Sequence, residues 1–286
     1  MARHSDDNER LERTDFVVEG LAAVAEYAKH RRSALRAVFA EPSALKEAQA
    51  RLSPFGVSVL AAPSNGGDDA QRAARGSWSQ RGAPKSKRAD AGRSPDRSTS
   101  QSLLSSRKSP VWADVHLELQ SESDLDARIS SRANDLLLAL DHVSDPRNLG
   151  AIVRSSAFFG VREVVVPERR QVLLTSASVN TAQGGFAITD LFTCVNLGRT
   201  LERLKADGYW IVGADMGGEP FASVAGFYAK TVLVLGAEDS GLSPGIRAKC
   251  DRIVSIQGIP GSLESLNVAV AAGILLAGFA ASGKRS

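Results

Sequence analysis

The chain has 286 residues, 43% of them hydrophobic, which is enough for more than one stable core without covalent staples. Its formal net charge of +3 is unevenly distributed, because residues 64–110 hold ten Lys/Arg against four Asp/Glu. Cys194 and Cys250 lie far apart without CxxC or Cys/His spacing, so the sequence suggests neither a disulfide framework nor a zinc site. The polar amino terminus lacks the pattern of a signal or transit peptide, and the charge-free apolar run after Asn267 is Ala/Gly-rich and predicts a buried helix. We therefore expect a soluble, cytoplasmic protein with no membrane segment and no bound metal.

The first predicted elements lie in residues 14–62. Apolar residues at helical spacing from Val17 to Tyr27 predict a helix, and the strand-like stretch "LRAVFA" follows it. The stretch "LKEAQARLSPFGVSVLAAP" repeats the order of helix and strand. This alternation predicts a small α/β domain over residues 14–62.

Residues 63–110 separate this domain from the next apolar stretch. They are rich in Ser, Gly, Arg and Lys and almost lack aliphatic side chains, so they cannot bury enough surface to offset the entropy lost on ordering. We expect a disordered basic linker, either a solvated spacer or a source of salt-sensitive attraction to phosphates. After it, "VWADVHLEL" alternates with a period of two and predicts an edge strand, so residues 111–120 can complete the first domain.

The pattern changes at about residue 134 to longer alternating strands and helices. Runs rich in Val, Ile and Leu predict the strands "LLLALD", "VREVVVP", "YWIVGAD", "TVLVLGAE" and "RIVSIQG". Such strands, separated by helices, are typical of a parallel sheet covered on both faces. We therefore predict an α/β domain over residues 134–282 with a final helix from Leu266 to about Ala281, and we expect ligands at the carboxyl ends of its strands.

The first of these strands runs into the motif "DPRNLGAIVR". Asp145 or Asn148 can cap the following helix and Gly150 permits close backbone approach, so capping explains most of the motif. Arg154 is harder to explain, because its sequence neighbours are apolar and a guanidinium among them needs an anionic or carbonyl partner. That partner is either a structural salt bridge or a ligand. We interpret His142, beside the motif, as an ordinary strand-end histidine.

Two further strands end in motifs of the same kind. In "VLVLGAEDSGLSP" glycines bracket Glu238 at a strand end, where exposed backbone groups can contact a ligand directly. The alternatives are an acidic turn or a pair between Glu238 and Arg154. In "IQGIPGSLESLNVAV" Ser265 either caps the last helix or lies beside amides that face a bound group. None of the three loops has the glycine spacing of a dinucleotide or P-loop cradle.

In this order and at these separations, the three motifs resemble those of the SpoU/TrmH family of RNA ribose 2′-O-methyltransferases, of the SPOUT class. The resemblance covers about residues 134–282 and implies an α/β fold whose carboxyl-terminal part forms a trefoil knot. It implies a homodimer that binds S-adenosylmethionine in the knot. The cofactor-binding positions that it implies are Leu235, Gly236, Glu238, Ile256, Ser265, Leu266 and Asn267. The polar positions of the active site that it implies are Asn148, Arg154, Glu238 and Asn267.

The resemblance extends to one branch of the family through the stretch "VNLGRTLERLKADGYWIVGAD". That branch methylates a guanosine of bacterial 23S rRNA and carries a small amino-terminal α/β domain that binds RNA, which residues 14–62 resemble. The sequence departs from the pattern at Ile256-Gln257-Gly258, where Ile-Pro-Met is usual, and at Gln183 and Gly184.

Three alternatives stay open. The first is a related ribose methyltransferase that acts on tRNA or on another rRNA site, because motifs in a catalytic domain do not encode the choice of RNA. The second is a non-catalytic RNA-binding factor with the same fold, and the third is a nucleotide-binding α/β protein of unrelated chemistry.

Overall fold

The fold is taken from a computed structural model of the chain. It describes residues 15–62, 108–130, 135–168, 174–223, 229–259, 263 and 265–281. Most of the predicted basic linker, residues 63–107, therefore lies outside the described residues.

The first sheet contains four strands in the order β1–β4–β2–β3. The strands are β1 (Asp15–Glu19), β2 (Leu35–Ala40), β3 (Leu60–Ala61) and β4 (Val111–His116). The prediction of an edge strand in residues 111–120 was wrong in one respect, because β4 pairs antiparallel with both β1 and β2 and lies inside the sheet. Its alternation reflects one face packed on helices rather than an exposed edge.

Two helices, α1 (Leu21–His30) and α2 (Pro42–Leu52), pack on this sheet. The predicted helix start at Val17 was wrong, because residues 15–19 form β1. Phe16 and Val18 are buried while their neighbours are more exposed, which is the period of a strand. Gly20, with a positive φ of 100°, makes the turn from β1 into α1. We call the first sheet with α1 and α2 the N-terminal module.

The second sheet contains six parallel strands in the order β10–β8–β9–β5–β6–β7. The strands are β5 (Asp135–Leu140), β6 (Glu163–Pro167), β7 (Asp190–Cys194), β8 (Trp210–Pro220), β9 (Lys230–Leu235) and β10 (Arg252–Ser255). The prediction of a parallel α/β sheet is confirmed. Strand β7 was missed, because the five residues of "DLFTC" include two polar side chains and lack the Val/Ile/Leu run of the strands that were predicted.

Helices cover both faces of the second sheet. They are α3 (Glu122–Ile129), α4 (Pro146–Phe158), α5 (Ser176–Thr181), α6 (Leu197–Ala206), α7 (Pro244–Arg247) and α8 (Val268–Ala281). Leu136, Leu138 and Leu140 of β5 join the core on the side of α4 and α8, whereas Leu137 and Ala139 join the core on the side of α3 and α6. Burial on both faces explains why β5 is continuously apolar from Leu136 to Leu140. Among the described helices, none is long and apolar enough to cross a membrane.

The two sheets share one hydrophobic cluster. Phe16 and Val24 of the N-terminal module belong to the same cluster as Leu149 and Val153 of α4. After β4, Gln120 continues along the edge of the second sheet, where its N–H donates to the Leu191 carbonyl at 2.9 Å. The chain therefore passes directly from the first sheet onto the edge strand of the second.

Candidate active site

The loop between β5 and α4 provides the first polar side chain of the site. Asp145 caps α4, since its carboxylate accepts the backbone N–H of Arg147 at 2.7 Å. This hydrogen bond holds the pKa of Asp145 below its usual range. Because Asp145 caps the helix, the side-chain amide of Asn148, in the first turn, is available for contacts outside the helix.

The loop after β9 is a tight hairpin that carries Glu238. Ala237 and Gly241 exchange two backbone hydrogen bonds of 3.0 Å, and Glu238 lies exposed within the turn they close. Gly236 permits this turn, because a Cβ built on it would lie 2.2 Å from the carbonyl carbon of Gly241.

Two carboxylates that the sequence analysis did not single out support this hairpin. Asp141, almost fully buried at the end of β5, accepts the N–H of Ser243 at 2.7 Å. Asp215 on β8 pairs with Arg247 at 2.9 Å and lies against Gly241. Both contacts join residues far apart in the sequence. The one local signal is Asp141, a charged residue at the end of an apolar strand.

His142 also contacts Asp141. Its Nδ1 lies 2.6 Å from the Asp141 carboxylate, and its backbone has a positive φ of 63°, which is uncommon for residues other than glycine. The structure thus places this histidine as a half-exposed partner of the carboxylate that supports the hairpin.

Replacing Gly236 with alanine should disrupt the hairpin. The added methyl group would contact backbone atoms that cannot move independently, so we expect a loss of about 2–4 kcal/mol of unfolding free energy together with weakened cofactor binding. Denaturant unfolding and calorimetric titration with S-adenosylmethionine measure the two effects. Gly245→Ala is the matched control, because no atom lies within 4 Å of a Cβ there. Equal stability of the two variants would contradict the assigned role of Gly236.

The third polar side chain precedes the last helix. The Asn267 side-chain oxygen accepts the N–H groups of Ala269 at 2.9 Å and Val270 at 3.3 Å, so Asn267 caps α8. The alternative in which Ser265 is the cap is wrong, because the helix begins at Val268. With its oxygen engaged by the helix, the Asn267 side-chain NH2 group faces outward.

These three loops bring Asn148, Glu238 and Asn267 into one hydrogen-bonded cluster. Glu238 Oε1 accepts Asn148 Nδ2 at 2.8 Å and also accepts Asn267 Nδ2. Asn267 Nδ2 donates to Asn148 Oδ1 as well, at 3.0 Å. The cluster places one carboxylate and two oriented amides at the carboxyl ends of β5 and β9, where ligands of parallel sheets bind.

Arg154 lies on α4, six residues beyond Asn148. It is exposed, because the face of α4 that enters the core carries Leu149, Ile152 and Val153. The expectation that its apolar sequence neighbours surround the guanidinium was therefore wrong. The alternative of a salt bridge with Glu238 is also wrong, since Glu238 binds the two asparagines, and no ion pair of Arg154 is found with any described residue.

The positions implied for the cofactor lie on the loops after β9 and β10. Leu235 and Gly236 are buried, Ile256 is half-buried, and Ser265, Leu266 and Asn267 are exposed. Both strands belong to one parallel sheet, so their carboxyl ends lie at the same edge. Glu238 and Asn267 join the two loops by their hydrogen bond.

Relatives of known sequence match the second part of the chain. An "Uncharacterized tRNA/rRNA methyltransferase" of Mycolicibacterium gilvum is 47% identical over 148 residues, which cover 52% of this chain and 47% of the relative. A protein of the same printed name from Mycobacterium bovis is 41% identical over 162 residues, 57% of this chain and 50% of that one. The matches thus span about half the length of these relatives.

Solved structures resemble almost the whole chain. The SpoU methyltransferase AviRb from Streptomyces viridochromogenes, in complex with AdoMet, has a TM-score of 0.68 at 23% identity, over 97% of this chain and 93% of that one. An AdoMet-bound rRNA methyltransferase from Sinorhizobium meliloti has a TM-score of 0.64 at 18% identity, over 98% and 91% of the two chains. These similarities establish the fold.

Residues 135–277, which make up half of the chain, match the model of the SpoU rRNA Methylase family. The chain therefore belongs to the SpoU rRNA methylase family.

Proposed function

We propose that this protein transfers the methyl group of S-adenosylmethionine to a ribose 2′-hydroxyl of structured RNA, and that the target nucleotide is a guanosine of 23S rRNA. The observation that carries the proposal is the convergence of Asn148, Glu238 and Asn267 from three strand-end loops into one hydrogen-bonded cluster. A purely structural protein needs the helix caps at these loops but not the contacts between them. The relatives named tRNA/rRNA methyltransferases support RNA as the substrate.

The loops after β9 and β10 fit the methyl donor. S-adenosylmethionine supplies a methyl group on a sulfonium centre, so the protein must hold it in line with the acceptor oxygen. The close contact of Gly236 with Gly241 leaves the hairpin backbone uncovered by a side chain at that point. We assign Leu235, Gly236 and Ile256 to cofactor binding by this hairpin and by the loop after β10. Ser265, Leu266 and Asn267 complete the proposed binding surface at the start of α8, with Glu238 beside them.

The polar cluster would orient the reacting groups. Asn267 is fixed by capping α8 and in turn fixes Asn148 and Glu238, so the cluster is preorganised before substrate binds. Arg154 has an exposed guanidinium that can bind a phosphate next to the target ribose and polarise its 2′-hydroxyl. We assign it this role rather than that of a base, because an arginine keeps its proton in proteins.

The choice of RNA defines the test of this proposal. Purified protein is incubated with tritiated S-adenosylmethionine and, separately, with unmodified bacterial 23S rRNA and with tRNA, and the labelled nucleotide is mapped. Label on a 23S rRNA guanosine is the expected result. Label confined to tRNA would keep the chemistry and replace the substrate. Cofactor binding without label on either RNA would support the non-catalytic RNA-binding factor.

We also propose a homodimer formed through α4 and α8. These helices pack together, since a Cβ on Gly273 would lie 3.8 Å from Ser155 Oγ. On their outer side Phe158 is 82% exposed, Val270 51% and Ile274 43%. Large apolar side chains clustered on a surface are typical of a subunit interface.

Phe158→Asp should convert the dimer into a monomer, because the new carboxylate would be desolvated in the proposed apolar interface. Light scattering at micromolar concentration measures the mass. Val195→Asp is the control, because Val195 is comparably exposed but follows β7, away from α4 and α8. A wild-type monomer at the same concentration would contradict the proposed interface.

The cysteines Cys194 and Cys250 are both free, which fits the proposed cytoplasmic location.

A further inference from the structure

Hydrogen bonds and ion pairs, in addition to apolar contacts, connect the N-terminal module to the elements around the second sheet. Strand β1 is the outer strand of the first sheet, so one of its edges lacks a neighbouring strand. Asn180 of α5 satisfies that edge: its side-chain oxygen accepts the Glu19 N–H at 3.1 Å, and its NH2 group donates to the Val17 carbonyl at 3.2 Å. A side-chain amide can satisfy both groups because it carries a donor and an acceptor.

A second contact is an ionic cluster around Asp190, at the start of β7. Asp190 is only 7% exposed, and its two carboxylate oxygens pair separately with Arg31 and Arg128. Arg31 follows α1 in the N-terminal module, whereas Arg128 lies in α3 and also faces the buried Glu163 at 3.9 Å. A buried carboxylate that pairs with two arginines fixes the relative orientation of the segments that carry them more strictly than an apolar contact does, because hydrogen-bonded ion pairs have specific geometry.

A third contact connects the module to the helix that carries Arg154. Gln183 and Gly184, which follow α5 in the chain, have positive φ angles of 47° and 90°. They form a turn that lies in space between α1 and α4. A Cβ on Gly184 would lie 2.9 Å from Glu26 Cβ, and a Cβ on Gly185 would lie 3.1 Å from the Arg154 Cα. The two glycines therefore pack between the module and the backbone of Arg154, where a side chain at either position would have no room.

We infer that these contacts hold the N-terminal module in one position relative to Arg154, and that this makes the protein select RNA that is already folded. The inference rests on the proposed function and on the RNA-binding role that the family resemblance of residues 14–62 implies for the module. The module would bind one part of the RNA while Arg154 meets the target ribose in another. Two binding surfaces at a fixed separation engage together only when the RNA presents both elements at a matching distance. A flexible RNA must first lose conformational entropy to do so. Asn180 and Arg31 act here as positioning residues.

The test compares wild type with Arg31→Ala/Asn180→Ala on two substrates. One is a folded 23S rRNA fragment that contains the mapped nucleotide, and the other is a short oligonucleotide of the target sequence alone. Arg31→Ala leaves Asp190 paired with Arg128, so no buried charge loses its last partner. Arg32→Ala is the charge-matched control, because Arg32 binds the Gly56 carbonyl within the module.

A distance measurement reports the position of the module without needing activity. Spin labels are placed at Lys46→Cys on α2 and Arg199→Cys on α6, both exposed, in a chain whose two native cysteines are replaced by alanine. We expect one narrow distance distribution for the wild-type interface and a broad one for the double variant. The dissociation constant for S-adenosylmethionine should stay within about twofold in both, since the cofactor loops are not altered.

The expected kinetic result is a loss of discrimination. The ratio of kcat/KM for the folded fragment to that for the oligonucleotide should fall about tenfold in the double variant, mainly through KM for the folded fragment, and should be retained in Arg32→Ala. A broad wild-type distribution, an unchanged ratio in the double variant, or an equal fall in Arg32→Ala would overturn the inference. If wild type methylates neither RNA, the proposed function fails and RNA selection fails with it. A narrow wild-type distribution would then still report the fixed position of the module.

Discussion

Replacing Arg154 with alanine should lower methyl transfer to RNA by about a thousandfold while S-adenosylmethionine still binds. The guanidinium is exposed on α4 and pairs with no described residue, so its removal should change the free energy of unfolding by less than about 0.5 kcal/mol. Its loss would instead remove the charge that we assign to the RNA phosphate and the 2′-hydroxyl. Single-turnover transfer assays and calorimetric titration with the cofactor separate the two effects.

Arg154→Lys is the informative companion to this variant. A lysine keeps a positive charge but lacks the planar pair of donors, so we expect partial activity, with the loss mainly in kcat. Full activity of Arg154→Ala would remove Arg154 from the site. A large loss of cofactor binding in that variant would show instead that the residue supports the fold of the binding loops.

The second large effect is expected at Asn267, where two substitutions separate its two roles. Asn267→Asp keeps an oxygen that can cap α8, so stability should change by less than about 1 kcal/mol. The new carboxylate would face Glu238 and would no longer donate to Asn148, so transfer should fall about a hundredfold. Asn267→Ala loses the cap as well and should show both defects.

Denaturant unfolding and transfer rates, measured on both Asn267 variants, check this separation. Asn267→Asp with wild-type activity would contradict a functional role for the hydrogen-bonded cluster. Equal loss of stability in the two variants would show that the side-chain oxygen does not cap α8 as the structure indicates.

Much of the second sheet could be predicted because its strands are buried on both faces. The apolar run of residues 136–140 has few interpretations other than a central strand, and the final helix was predicted to within two residues of its start. Strand β7 could not be predicted, because its five residues include two polar side chains and the pairing that stabilises it is with β6, far along the chain. Strand β1 was predicted as part of a helix, because Gly20 joins two apolar stretches directly. The first alternates with the period of a strand and the second repeats with the period of a helix.

The edge of the sheet that carries the site was predictable, because the carboxyl ends of parallel strands lie together. The resemblance to the SpoU/TrmH family implied that Asn148, Glu238 and Asn267 share one site, and the structure joins their side chains by hydrogen bonds. Only the surroundings of Arg154 were predicted wrongly, because neighbours in sequence do not share a helix face and residue 154 points away from the buried side of α4. The contacts of Asp141, Asn180 and Asp190 depend on tertiary proximity that no local pattern encodes.

The central claim is that the methyl group goes to a ribose 2′-oxygen, and a single-atom change in the RNA tests it. A folded 23S rRNA fragment is prepared with one 2′-deoxy nucleotide at the mapped target, and a second fragment carries the 2′-deoxy nucleotide one position away. We expect tritium incorporation into the second fragment and none into the first. Incorporation into the fragment that lacks the target 2′-hydroxyl would contradict transfer to the ribose and would place the methyl group on the base.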